Sequence, residues 1–129
     1  MIGLDTNVLV RLLVEDDEDQ HARVVALLQR GSASAFFIGD VVLAEVVWVL
    51  QARYRLSRTE IEGALKALLE AEHLVFESTD RCLRALRRFG AGSGGFADYL
   101  IAERAADEGC SALATFDQAL LVEPDCQAP

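Results

Sequence analysis

Apolar residues in this chain alternate between short runs and longer stretches where they recur every three or four positions, which predicts strands alternating with helices. Residues 2 to 4 (IGL) read as a short strand ending at Asp5, and the spacing from Thr6 to Val14 fits a helix. The polar run 15 to 19 (EDDED) leads into a second helix and places acids in its first turn, where the dipole favours them. That helix reaches about Arg30, with Val24, Val25, Leu27 and Leu28 inward and Gly31 just past its end. Residues 35 to 38 predict a second strand, and Asp40 reads as the N-cap of a helix from Val41 to about Tyr54. The capping box Ser57-Arg58-Thr59-Glu60 opens a fourth helix, with Ile61, Leu65, Leu68 and Leu69 on one face. Residues 73 to 76 predict a third strand and Thr79 to Phe89 a fifth helix. The linker 90 to 95 (GAGSGG) has no means of packing on its own. A sixth helix is expected from Phe96 to Gly109, a fourth strand over 111 to 114, a last short strand over 121 to 123, and a loose tail over 124 to 129. This order implies an α/β fold of three layers, a central parallel sheet of about five strands between helices. Ligands of such sheets sit beyond the carboxyl ends of the strands.

At 129 residues the chain has the length of one domain, residues 1 to 129. Its hydrophobic fraction of 52% and mean hydropathy of +0.22 are high for a small monomer, so a subunit interface or a partner groove is expected. No basic leader precedes an apolar stretch, and the longest apolar run, 41 to 50, is broken by Glu45 and too short for a bilayer. The expectation is a soluble, cytoplasmic protein without a membrane role. Three scattered cysteines (Cys82, Cys110, Cys126) and two isolated histidines (His21, His73) suggest neither a disulfide framework nor a zinc site. A net charge of −9 excludes binding to nucleic acid by overall attraction, so any such substrate needs a local basic patch and a metal to offset the acids.

Most of the 21 acids lie in polar clusters, and four do not. Asp5 and Asp117 each sit between apolar runs just after an expected strand; if those strands are neighbours, both carboxylates emerge at the crevice edge. Glu45 is the only charge in VVLAEVVWVLQA, a helix apolar nearly all round and therefore expected to be buried. A carboxylate there needs a cation, either an arginine such as Arg11 or a metal ion. Asp98 shares its helical face with Ile101, Ala102 and Ala105. Carboxylates sharing one pocket cannot all ionise unaided, and oxygen-only ligands without His or Cys suit Mg²⁺ or Mn²⁺. The matching chemistry is hydrolysis of a phosphodiester by metal-activated water. Taken singly, Asp5, Asp117 and Asp98 also fit helix caps or first-turn acids.

The segments LDTNVLVRLL, LAEVVWVL, FADYLIAERA and ATFDQAL occur in the order and at the spacing of the PIN domains, and the whole chain resembles that family, in particular its VapC toxins. The resemblance implies that Asp5, Glu45, Asp98 and Asp117 hold the metal, with Asn7 and Thr115 as supporting polar residues. It further implies a Mg²⁺-dependent endoribonuclease acting on RNA, Mn²⁺ able to substitute, that works as a homodimer neutralised by a cognate antitoxin. The helix around Trp48 and the one opening at Ser57 are where a dimer or antitoxin contact is expected. A related nuclease devoted to RNA maturation, or a binding subunit without turnover, fits the same family. Arg81, Arg84 and Arg88, at i, i+3 and i+7, are candidate phosphate contacts, although a solvated helix face explains them as well. Two other classes with an acid after strand one fail on named residues. A phosphoaspartate phosphatase needs a second acid where this chain has Asn7. A receiver module needs a lysine after its last strand, and the only lysine here is Lys66.

Overall fold

The computed structural model describes residues 1 to 30 and 35 to 129; Gly31, read above as a helix stop, lies outside the described residues. The elements follow in the order β1 (Ile2–Gly3), α1 (Thr6–Leu13), α2 (Glu18–Arg30), β2 (Phe36–Ile38), α3 (Asp40–Ala52), α4 (Arg58–Glu70), β3 (Leu74–Phe76), α5 (Thr79–Ala91), α6 (Phe96–Asp107), β4 (Leu113–Ala114) and β5 (Cys126–Gln127). The α/β class expected from the alternation holds.

The strands form two hydrogen-bonded sheets. β1, β2 and β3 lie side by side, all parallel, with Ile2 opposite Phe36 and Phe36 opposite Leu74. β4 pairs separately with β5. The expected strand at 121 to 123 gives way to turns because Leu120 and Leu121 donate back to the Asp117 carbonyl. The pairing strand lies instead at Cys126–Gln127, in the segment expected to be a loose tail.

Each connection within the first sheet passes through two helices, as parallel strands require. α1 packs on α2 and α3, α3 on α6, α6 on α5, and α5 on α4. Leu9, Phe36, Ile38, Leu43, Val46, Leu50, Ile61, Leu65, Phe89 and Phe96 fill the core between them. The Ser57–Glu60 capping box is present in both directions.

The glycine linker is packed, contrary to expectation. α5 runs on to Ala91. The buried amide of Gly94 donates to the Tyr99 hydroxyl at 2.9 Å, and a Cβ on Gly92 would collide with that same oxygen. Arg58 closes the other side: its guanidinium lies 3.9 Å from the Phe89 ring centroid and donates to the carbonyls of Phe89 (2.8 Å) and Gly92 (3.1 Å). The linker packs on Tyr99 and Arg58, which fixes the first turn of α6.

Candidate acidic site

Each strand of the three-stranded sheet is followed by an acid at its carboxyl end: Asp5 after β1, Asp40 after β2 and Glu77 after β3. Two of the three are neutralised. Arg81 on α5, its side chain 8% exposed, reaches Asp40 at 2.8 Å, Glu77 at 3.3 Å and Asp107 at 2.9 Å. Asp40 is also not the cap it was expected to be. Gly39 occupies the N-cap of α3, and Glu77 accepts from the Asp40 amide at 3.1 Å.

Asp5 caps α1, accepting from the Thr6 amide at 2.6 Å. Thr6 itself is buried, and its hydroxyl donates to Glu45 Oε2 at 2.6 Å. Glu45 is therefore exposed and held by a neutral donor, which corrects the expectation of a buried carboxylate facing a cation. The reason is that α3 is not covered all round: Val41 (72% exposed), Glu45 and Trp48 (68%) form an open face. Arg11, the candidate partner for Glu45, is committed elsewhere, to Asp16 at 2.8 Å, Gln20 and Tyr54.

Asp98 lies in the first turn of α6. Burial, and then the negative charge of Asp117, push its carboxyl above the usual aspartate range, against a smaller opposing pull from the Gly95 amide. Gly95 is tightly placed: a Cβ there would sit 2.9 Å from Asp98 Oδ2. Asp117, three residues past β4, accepts from the Ala119 amide at 2.8 Å, and its own amide donates to the Thr115 hydroxyl at 3.0 Å. Thr115 thus shapes the turn that presents Asp117.

The acids accordingly arrive in two pairs, Asp5 with Glu45 through Thr6, and Asp98 with Asp117. α3 links them, because Glu45 and Ala97, the residue before Asp98, line one cleft between α3 and α6. Among the described residues, no three Asp, Glu, His or Cys side chains yet converge closely enough to grip an ion. The donor set nonetheless fits a hard dication in chemistry. It is all carboxylate and hydroxyl oxygen, and none of the four acids is neutralised by an arginine, lysine or histidine among the described residues, unlike Asp40 and Glu77 at the same sheet edge. A dication would offset the burial, and then the repulsion from Asp117, that hinder Asp98 from ionising.

Other expected site residues fall elsewhere. Asn7 is exposed and lines a groove between α1 and α2. Arg81, Arg84 and Arg88 are not an open phosphate-binding face. Arg84 bonds Glu103 (2.7 Å) and Asp107 (2.6 Å), and Arg88 bonds Glu103 (3.1 Å) and Asp125 (2.8 Å), so with Arg81 they tie α5 to α6 and the C-terminal segment. Their i, i+3, i+7 spacing showed a shared face but not the acids opposite. Thr6 and Gly95 escaped the sequence reading. Thr6 looked like any first-turn residue, and Gly95 like one more glycine in a linker.

The family described as PIN domain matches residues 2–122. Among curated proteins no match was found. No helix among the described residues is long and apolar enough to cross a membrane.

Proposed function

The chain belongs to the PIN-domain family, and on that premise we propose that it is a divalent-metal-dependent endoribonuclease. Asp5, Glu45, Asp98 and Asp117 would hold Mg²⁺, with Mn²⁺ able to replace it. The ion supplies an activated water and charge stabilisation for phosphodiester hydrolysis when bound. The observation that carries this reading is Asp98, a half-buried carboxylate at the start of α6 with no cationic partner among the described residues, which burial and then the charge of Asp117 hinder from ionising. The residues divide the work by position. Asp5 stands at the N-terminus of α1, where its cap bond fixes the carboxylate. The Thr6 hydroxyl holds one oxygen of Glu45, which leaves the other available. Thr115 sets the turn at Asp117.

Mg²⁺ or Mn²⁺ is expected to raise the melting temperature by mass action, about 2.7 kcal/mol at one hundred times Kd, a shift of several degrees. Asp5→Asn should remove the shift without weakening the metal-free protein, because asparagine caps a helix as well as aspartate does. Melting curves with and without metal check both points. An unchanged shift in Asp5→Asn excludes Asp5 from the site.

We further propose that the protein is the toxin of a type II toxin–antitoxin pair, acting as a homodimer held by a cognate antitoxin. The open face of α3 supports a subunit contact, since Val41 and Trp48 are large, apolar and exposed on a chain with high apolar content. Trp48→Glu is expected to convert a dimer into a monomer by light scattering while leaving the far-ultraviolet circular dichroism unchanged. A mass that does not move with this substitution places the contact elsewhere. A short reading frame directly upstream with a DNA-binding pattern would support the toxin role; its absence would favour RNA maturation.

A further inference from the structure

A second surface lies outside the acids. Between α1 and α2 runs a groove of about 560 Å³, with Val8, Val24 and Leu27 along it and Arg11, Arg23 and Arg30 among its lining residues; no acid lines it among the described residues. Arg23 and Arg30 are exposed and have no ion-pair partner among the described residues. Arg11 is paired with Asp16 at 2.8 Å, so the unpaired charge of the groove is that of Arg23 and Arg30. In a chain of net charge −9, a groove that carries two unpaired guanidinium groups, with no carboxylate among the described residues that line it, contrasts with the average surface.

The orientation of the groove matters as much as its charge. Arg11, near the end of α1, bonds Gln20, near the start of α2, at 2.6 Å, so the two helices run in opposite directions. The last turn of α2, with Arg30, therefore lies toward the first turn of α1, where Asn7 also lines the groove two residues from Asp5. Seven residues of helix separate Arg23 from Arg30 by roughly 10 Å along the axis. The result is a track of positive charge leading to the acids.

We propose that this groove binds the backbone of a single-stranded RNA and feeds it to the acidic site, with Arg23 and Arg30 contacting phosphates and Asn7 guiding the strand at the junction. The proposal rests on the nuclease reading above and names the binding surface that reading lacks. Long-range repulsion from the acids is offset only where guanidinium groups face the strand. Among the described residues that line the groove none is aromatic, so they offer no stacking platform and the arginines hold the backbone without choosing bases. Affinity from this surface is accordingly independent of sequence.

The test uses the full chain carrying Asp98→Asn, so that RNA is bound and not cut, and follows the anisotropy of a fluorescently labelled single-stranded RNA of mixed sequence over a range of salt. Adding Arg23→Gln and Arg30→Gln is expected to weaken binding roughly tenfold or more and to flatten the slope of log K against log salt by about 1.4, at about 0.7 per lost phosphate contact. Arg23→Lys with Arg30→Lys should retain most of the affinity and the slope, since a phosphate accepts either cation. In the otherwise native chain, the glutamine pair should raise KM and leave kcat unaltered. Unchanged affinity and slope in the glutamine pair overturn the proposal. So does equal loss in the lysine pair, which would mean a packing role. So does arginine-dependent capture of a polyglutamate peptide with RNA affinity unmoved, which would make the groove a site for acidic protein segments. Arginine-dependent RNA binding without any metal-dependent cleavage would instead sink the nuclease reading and leave the groove standing.

Discussion

RNA cleavage by the Asp98→Asn variant is expected to fall by on the order of 10³-fold or more, with the fold unchanged. Removing a single group that stabilises transition-state charge costs about 10²–10³ in kcat, and Asp98 would hold the ion on which the whole reaction depends. Asparagine is the right replacement because it keeps the shape that fits beside Gly95, where a Cβ would crowd Asp98, and removes only the charge. Stability should not decline. With its carboxyl raised by burial and by Asp117, Asp98 binds a proton more tightly in the folded chain than in the unfolded one. Its contribution to metal-free stability is therefore lost as pH rises out of the usual aspartate range, and the neutral amide avoids that loss. The same sign governs activity. Metal binding needs the ionised carboxylate, so the acidic limb of the pH–rate profile should lie above the range of an ordinary aspartate. Cleavage within tenfold of the parent protein in Asp98→Asn, or cleavage that survives EDTA, would remove Asp98 from the reaction.

Local signals in the sequence were reliable where they depended on periodicity or on a cap. The Ser57 capping box, the helix opening at Thr6 and the strand–helix alternation all follow from nearest-neighbour chemistry, which the chain carries openly. Features that depend on what packs opposite were hidden. α3 is apolar by composition, with no polar face to mark its outside, so its periodicity did not show that Val41, Glu45 and Trp48 face solvent, and only the family resemblance pointed to a contact near Trp48. The glycines of residues 90 to 95 read as slack, yet two of them are small because the Tyr99 ring needs the room. β5 was placed a few residues early, because an apolar triplet at 120 to 122 outweighs Cys126–Gln127 in pattern, whereas the turn anchored on Asp117 decides the matter in three dimensions. The four acids were legible as misfits among apolar neighbours. Their division into two pairs was not, because it depends on the Thr6 hydroxyl and on the approach of α6 to the loop after β4.

The arginine triplet on α5 gives the second large effect. Arg81 is the one charged residue buried among the described residues, and it holds acids that follow β2 and β3 as well as Asp107 on α6. Breaking a buried ion pair by removing one partner costs about 3–5 kcal/mol, because the other charge stays buried and uncompensated. Arg81→Met should cost less, about 2–3 kcal/mol. Asp107 keeps Arg84 at 2.6 Å and Glu77 keeps Arg104 at 3.2 Å, so only Asp40, 15% exposed, is left without a cation. Urea unfolding should show this as a lower midpoint at constant slope. Adding Asp40→Asn should recover part of the loss, since the stranded charge is then gone; a simple cavity left by the arginine would give no such recovery. The effect on function should follow the folded fraction alone, as Arg81 is wholly engaged in holding the sheet edge to α6. Asp40 and Glu77 occupy the same edge as Asp5, and it is Arg81 that removes them from competition for a metal, leaving Asp5 as the one strand-end acid of the first sheet without a cationic partner among the described residues.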